Sequence, residues 1–457
     1  MKTILITSYS PCIHGSYGIV AREIFKRIHD AKKYTLVHHA WFHIDVPNSV
    51  PWTIIPTKMK MENGNQQLIS EDIHGQQSFK EVLAKVKPDI VWALGDFYML
   101  KHVFEEKANY PNIQFICHLA VDGEPWHRNI TNFVSNADHI VAISKFGSGV
   151  LSKVLGKPIP YIHHGVDTKM IYPMDTERRH KQRLSASGGA FTEDAFVVGF
   201  VGKDQFRKMP WKLWEFIHYL VHGDYIVCNE CGKVTLMEWD KMTHSPRDSS
   251  CLRQYESGYD YTYCYHCRSK EITRGEQRSK VYGYFHMPYK PNDAWDPGHL
   301  NDIWSVSGNM YNTQGLGSMR GLDDNKMIGV YNLMDMFYFC TGGEGFGIPA
   351  VECMAAGVPV MYSNYSALPE LMPDCGIPVR VDWMCEMQSC YDRALINTAD
   401  AVGKAIKIID NRDIVKPIIE KGLEVAKVET WDVIGQQWLE YIDKVAEQCT
   451  DAVGVVV

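Results

Sequence analysis

Thr341-Gly342-Gly343-Glu344-Gly345-Phe346-Gly347-Ile348-Pro349-Ala350-Val351-Glu352-Cys353-Met354-Ala355-Ala356-Gly357-Val358-Pro359-Val360 is the stretch from which the rest of the chain can be read. It follows an apolar run, residues 336–340, whose composition fits a buried strand. Its glycines permit a tight turn and close approach of backbone to a ligand. Pro349 suits the first turn of a helix and Gly357 suits the stop after it. A helix opening from such a turn presents free N–H groups and partial positive charge, which favours phosphate. Glu344 and Glu352, with seven residues between them, place one carboxylate in the turn and one on the helix, facing one cleft. Such a pair is poorly suited to phosphate itself and well suited to accepting hydrogen bonds from sugar hydroxyls.

Outward from this turn, short apolar runs alternate with stretches of helical period, the pattern of parallel α/β layers. Strands are expected at 3–7, 34–41, 89–94, 113–119 and 139–143, with a helix at 18–29. A second series is expected at 196–201, 281–287, 336–340 and 358–362, with a helix at 211–221. Two Rossmann-like halves account for both series. The join falls between residues 164 and 196, where Arg178-Arg179-His180-Lys181-Gln182-Arg183 and the small residues at 185–189 read as solvated and flexible. Residues 222–280 interrupt the rhythm, are rich in Cys, Tyr and Ser, and read as an inserted module. At 430–447, Trp431, Ile434, Trp438 and Ile442 recur three or four apart, so this helix should pack on the body of the protein.

With 457 residues, the chain is long enough for two or three domains. The 47 Lys and Arg against 54 Asp and Glu give −7, which excludes a global attraction to nucleic acid or acidic lipid. The apolar run at residues 3–7 is too short for a signal sequence, and no stretch approaches the ~20 apolar residues of a membrane helix. With an odd 13 cysteines, the expectation is a reduced, cytoplasmic protein.

The segment from Glu344 to Glu352, continued by Met354-Ala355-Ala356-Gly357-Val358-Pro359-Val360, resembles the Glu-seven residues-Glu motif of the large retaining glycosyltransferase family of glycogen, sucrose and lipopolysaccharide synthases (group 1). Ser16-Tyr17-Gly18-Ile19-Val20 resembles that family's glycine loop, and His163-His164-Gly165-Val166-Asp167 its segment at the domain joint. The resemblance implies a GT-B fold: an N-terminal Rossmann-like acceptor domain (1–168) and a C-terminal donor domain (190–425) facing a cleft. A terminal helix (426–457) returns to the first domain. It implies a nucleotide-sugar donor, a uridine diphosphate sugar by analogy, and retaining transfer without a catalytic metal or a protein nucleophile. Two basic residues five apart hold the diphosphate in that family. Lys203 and Lys208 stand at this spacing, with Lys203 in place of the usual Arg and Arg207 able to compensate. Glu352 is then expected on the ribose, Glu344 against the transferred sugar together with Gly345, Phe346 and Gly347, and Ser16 and Gly18 beside the donor. His118 is expected near the sugar, the rival reading being a core histidine. Asp122 and Glu124 either position the acceptor hydroxyl or cap the next helix. His38, His39 and His43 share no single strand face, which disfavours a metal site there.

Cys228-Asn-Glu-Cys231 and Cys264-Tyr-His-Cys267 carry the second signal, two pairs of the spacing that holds tetrahedral zinc. The expectation is a zinc ribbon stapling the insertion, with Cys251 and His266 as alternative ligands and redox pairs as the rival. Tyr255, Tyr259, Tyr261, Tyr263 and Tyr265, followed by Arg268, Lys270, Arg274, Arg278 and Lys280, have the make-up of a surface that stacks bases and holds phosphates. They read equally as strand tyrosines and a solvated tail. From the ribbon comes a leading acceptor, a hydroxymethylated pyrimidine in DNA, as in enzymes of some viruses, which would act in the host cytoplasm. Its rivals are a polysaccharide, lipid or protein acceptor, and a catalytically idle nucleic-acid-binding module.

Overall fold

The computed structural model describes residues 1–13, 15–43, 50–57, 59–62, 65–68, 72–126, 128–237, 239–240, 245–246, 262–287, 295–313, 322–386 and 391–451. Its first strand, Lys2–Tyr9, carries Ile4, Leu5 and Ile6 in succession, all without solvent exposure, as expected of a strand covered on both faces. The helix Ser16–Asp30 follows, burying Val20, Ile24, Phe25 and Ile28 along one side. The first sheet is wholly parallel. In space it runs Thr53–Pro56, Tyr34–Trp41, Lys2–Tyr9, Ile90–Gly95, Gln114–Leu119, His139–Ala142. The second is also parallel and runs Met310–Asn312, Val281–His286, Phe196–Val201, Met336–Phe339, Val360–Ser363, Ile377–Val379.

Numbered within its own half, each sheet has the order 3-2-1-4-5-6. That order reverses direction between strands 1 and 4, and open α/β sheets bind ligands in the crevice beyond the strand ends at this point. The two crevices are therefore located by topology: residues 10–13, 15–16 and 96–98 in the first half, 202–208 and 340–347 in the second.

Two crossings join the halves. Val166 pairs with Thr430 as a parallel bridge, and the N–H of Val166 donates to Glu429 O at 2.8 Å. Gly165 sits so close that a Cβ there would lie 2.6 Å from Trp431 N, which explains a glycine at the crossing. The last helix, Trp431–Asp451, lies on the first half: Trp438 is fully buried against Trp92 (5.4 Å between rings), and Asp443 accepts from Tyr34 Oη at 2.7 Å.

The expectation of a flexible basic join is corrected. Asp175 caps a helix, Thr176–Ser187, by accepting from Arg178 N. Arg179 and Arg183 both pair with Asp335 at 2.9 Å, and Arg183 also donates to the carbonyls of Leu333 and Ala195. Its basic residues are thus divided between solvent and one buried carboxylate. Within the insertion, Val234–Leu236, Tyr225–Cys228 and Ile272–Arg274 form a three-stranded antiparallel sheet, with Val234 and Tyr225 buried in the core of the second half. Among the described residues no helix is long and apolar enough to cross a membrane.

Candidate active site

The strand Phe196–Val201 is buried throughout and releases the chain into the turn that carries Lys203, Arg207 and Lys208. Met336–Phe339, beside it in the sheet, releases the glycine turn. Backbone ties the two loops together, since the N–H of Gly342 donates to Arg207 O at 2.7 Å. Gly343 (φ 151°) and Gly347 (φ 112°) adopt backbone angles that a side chain disfavours, and Gly347 precedes the helix Ile348–Ala355.

Glu344 is brought to the centre of this wall and is 4% exposed. Lys208 Nζ lies 2.6 Å from one of its oxygens and Arg207 Nη1 3.1 Å from the other. Burial alone would raise the Glu344 carboxyl, but Lys208 and Arg207 outweigh it and hold the group below its ordinary value. Burial pulls Lys208 down to about 8 against the opposing pull of Glu344, so it carries its charge through neutral pH. For Arg207 burial is again the largest effect, yet Glu344, Asp122 and Asp96 overcome it and raise the guanidinium.

From the first half comes the loop after Tyr9. Gly18 is required there because a Cβ would meet Ile13 O at 2.5 Å and Ser10 O at 2.6 Å. Ser16 opens the helix at this loop. Across the cleft, Lys203 Nζ stands 3.7 Å from the place of a Gly15 Cβ and 5.6 Å above the ring of Tyr9. Among the described residues Lys203 makes no ion pair, and burial together with Arg207 lowers its ammonium pKa. A cation with no carboxylate partner, facing a helix N-terminus across a gap, has the make-up of a diphosphate clamp.

Asp122 reaches the same centre. Its carboxylate lies 3.1 Å from Arg393 Nη2 and 3.3 Å from Arg207 Nε, and its carbonyl accepts from Arg393 Nη1 at 2.7 Å. The two walls touch here, because a Cβ on Gly343 would be 2.1 Å from Asp122 O. Glu124, at the exposed rim, donates its N–H to Tyr365 Oη at 3.1 Å and accepts from Asp392 N at 3.1 Å.

Four expected residues stand apart from this centre. Glu352, within the helix Ile348–Ala355, receives the Tyr331 hydroxyl; burial raises its carboxyl to about 7, against the pull of that hydrogen bond and with Asp324 adding to the rise. Phe346 is 3% exposed and packs on His163 and His164 at the domain joint, while Gly345 lies beside Ala120. His118 corrects the expectation of a sugar-side histidine. It is fully buried among Trp92, His164 and Trp438, with Nε2 at 3.2 Å from Ile162 O, and burial lowers it to about 3. The terminal helix covers the face on which it lies, so a neutral core histidine results. His38, His39 and His43 are also buried, bonded to Ser8, Thr7 with Ser78, and Ser10 respectively, rather than gathered as ligands. Arg393 and Tyr331 were not singled out in the sequence, and nothing in their local pattern marks them.

In the insertion, the sulfurs of Cys228, Cys231, Cys264 and Cys267 all lie within 4.8 Å of one another. Cys228 and Cys267 are 3.5 Å apart and Cys231 and Cys264 3.6 Å. Tetrahedral zinc with Zn–S of about 2.3 Å needs sulfurs about 3.8 Å apart, so the set fits that ion. Backbone N–H groups of Cys231 and His266 point at the sulfurs of Cys228 and Cys264, both at 3.4 Å, completing two matched knuckles. His266 is not part of the cluster, and Cys251 lies outside the described residues, as do Tyr255, Tyr259 and Tyr261.

Among solved structures, sucrose-phosphate synthase from Thermosynechococcus elongatus superposes with a TM-score of 0.67 at 13% identity, covering 97% of this chain and 99% of that one. HepE of Anabaena, in complex with UDP and glucose, superposes with a TM-score of 0.62 at 13% identity, covering 97% and 99%. The chain has the GT-B fold. O-antigen chain mannosyltransferase B of Escherichia coli is 36% identical over 87 residues, 18% of this chain and 23% of that protein. The mannosyltransferase WbdA of the same organism is 41% identical over 51 residues, 11% of this chain and 6% of that protein. These matches span well under two thirds of either relative, and no protein-family model matches the chain.

Proposed function

We propose that this GT-B chain is a retaining glycosyltransferase that moves a sugar from a nucleotide-sugar donor, of the uridine diphosphate type, to an acceptor hydroxyl. The observation that carries the reading is the convergence of Lys203, Arg207 and Lys208 at one switch point, facing the glycine loop at the other. The complex of HepE with UDP and glucose, on the same fold, supports the donor class.

In this reading the diphosphate lies between Lys203 and the N-terminus of the helix Ser16–Asp30, and Glu352 with Tyr331 receives the ribose hydroxyls. The bond from the sugar's anomeric carbon to the β-phosphate oxygen breaks while Arg207 and Lys208 offset the charge that develops on that oxygen. The acceptor oxygen bonds to the same face of the anomeric carbon, which retains its configuration. Its proton passes to the departing phosphate. Glu344 holds both cations in place and keeps oxygen lone pairs for the sugar hydroxyls, while Asp122 and Arg393 lock the opposing wall. His118 takes no step.

The four cysteines hold zinc as a structural clamp. Metal analysis should find about one zinc per chain, and chelation should expose the amides of Tyr225–Cys228 to hydrogen exchange. A fully protected metal-free protein would remove zinc from the reading.

One observation favours a DNA acceptor. Tyr263 and Tyr265 stack at 6.1 Å with Arg268 over both rings, at 5.2 and 5.5 Å. The deciding experiment incubates the protein with a panel of nucleotide sugars and with hydroxymethylated DNA or glycans, then weighs the products. A hexose or pentose gain that disappears in Glu352→Ala supports the transferase. Absence of both transfer and nucleotide release across the panel overturns it.

A further inference from the structure

Two sets of exposed rings lie on the second half, and one helix joins them. Phe206 stands in the turn between Lys203 and Arg207 and is 63% exposed. Its ring lies 5.5 Å from that of Trp295, which in turn lies 5.9 Å from Trp211, the first residue of the helix Trp211–His222. These three rings make a shelf that adjoins the turn carrying the diphosphate cations. Farther along the same helix is the zinc knuckle, where Tyr263 and Tyr265 stack under Arg268 and Tyr265 is 43% exposed. From the knuckle toward the shelf runs an open groove of about 410 Å³, lined by Tyr219, Leu236, Tyr265, His266, Asp382 and Thr398.

Trp211, Glu215 and Tyr219 recur every fourth residue and so share one face of the helix. Trp211 belongs to the shelf, while Glu215 and Tyr219 line the groove, so the rings form one line rather than two separate patches. The rise from Trp211 to Tyr219 is about 12 Å, the length of about four stacked nucleotides. Charge restricts the occupant. Both carboxylates of the groove are paired, Glu215 with Lys212 at 2.6 Å and Asp382 with Arg380 at 3.0 Å. Lys233, just before the groove strand Val234–Leu236, and Arg268 are exposed and make no ion pair among the described residues. A neutral glycan gains nothing from such cations, whereas a phosphodiester chain binds through them. Exposed ring faces, in turn, take bases that have no partner strand.

We propose that shelf, groove and knuckle form one track for single-stranded DNA, which leads the strand along the helix Trp211–His222 to the cleft. The proposal rests on the DNA-acceptor reading above and names the form of the DNA and its route. Bases stack on Tyr265 and Phe206, phosphates near the knuckle meet Arg268 and Lys233, and the nucleotide beyond Phe206 enters the cleft.

The test uses the full zinc-loaded chain and a short fluorescent oligonucleotide containing hydroxymethylcytosine, free or annealed to its complement, with binding read by anisotropy. The single strand should bind tenfold or more tighter than the duplex. Phe206→Ala and Tyr265→Ala, both at exposed positions that leave the core intact, should each weaken it about tenfold, and Tyr265→Ala should move UDP affinity less than twofold. Equal binding of strand and duplex, undiminished binding in both variants, or displacement of the strand by neutral oligosaccharides overturns the track. Sugar transfer to the strand is scored in the same samples with a panel of nucleotide sugars. Strand binding of the expected pattern without transfer would keep the track and remove the DNA-acceptor reading. Transfer with binding unmoved by either variant would keep that reading and remove the track.

Discussion

The two walls of the cleft have the same topology and opposite chemistry. Each is the switch point of a 3-2-1-4-5-6 parallel sheet, and each is made of two loops that leave neighbouring strand ends. The second half fills its crevice with Arg207 and Lys208 paired to one carboxylate, Glu344, and with Lys203 turned toward Gly15 and Tyr9 of the other wall. The first half fills its crevice with Asp96, Asp122 and tyrosines. Sheet topology thus decides where a ligand goes, and the side chains at the strand ends decide which one. The difference teaches that two copies of one sheet order can turn walls of unlike charge toward a single cleft.

Removing charge from the basic wall should have the largest effect. Lys208→Met keeps the length of the side chain and leaves Glu344 paired with Arg207, so folding should survive. Turnover should fall about 100- to 1,000-fold, the usual loss for one group that stabilises a developing anion. A loss under tenfold in kcat for nucleotide release would mean that the diphosphate leaves elsewhere, and the contrast between the walls would lose its meaning.

Glu352→Gln tests the buried carboxylate that lies beside Tyr331, apart from the three cations. Donor affinity should weaken by roughly 1–3 kcal/mol through lost charge-assisted hydrogen bonds. Stability should move the other way. The folded carboxyl is raised to about 7 from an ordinary 4.5, so ionising it costs the native state stability as pH rises from about 4.5 to 7. The variant should therefore be more stable than the parent by about 1–3 kcal/mol at pH 8 and not at pH 4.5. Denaturant titrations at the two pH values check this, and an equal difference at both would place the charge elsewhere.

What the sequence revealed follows from local physics. Apolar runs such as 196–201, buried on both faces, announce themselves, and the observed strands agree with them to within a residue or two. Met310–Asn312 and Ile377–Val379 are three residues each, too short for any period, and escaped notice. Arg393 lies in a hairpin strand, Asp392–Ile396, whose place against Asp122 is fixed only by the closed cleft. Asp96 has a recognisable position, the first residue after a buried strand, but its partner strands and hence the switch point emerge only with sheet order. His118 shows the limit most clearly. Alternation places it with Ile116 and Ala120 on one face, and no local pattern says which face the distant helix Trp431–Asp451 will cover.

The smallest expected effect concerns how the unlike walls are held in register. His163 stands at the crossing between them, with Nε2 3.1 Å from Glu370 and Nδ1 3.1 Å from Glu429. Glu370, from the second half, also receives the N–H groups of Lys145 and Phe146 at the start of a helix in the first, both at 2.7 Å. Burial would lower His163, but the two carboxylates outweigh it and raise the imidazole to about 9 from an ordinary 6.5. A raised histidine stabilises the native state fully below about pH 6.5, and that contribution is lost as pH rises through about 9. With the side chain 16% exposed, screening reduces the contribution to about 1–2 kcal/mol. His163→Gln should therefore melt lower than the parent at pH 6.5, with the gap closing by pH 10. A gap that persists unchanged to pH 10 would mean that the walls are joined by packing of Phe346 on His163 and His164 rather than by charge. Closure of the cleft would then be insensitive to pH, and alkaline loss of activity would belong to the ammonium groups of the basic wall, Lys208, lowered to about 8, and Lys203, lowered by burial and Arg207.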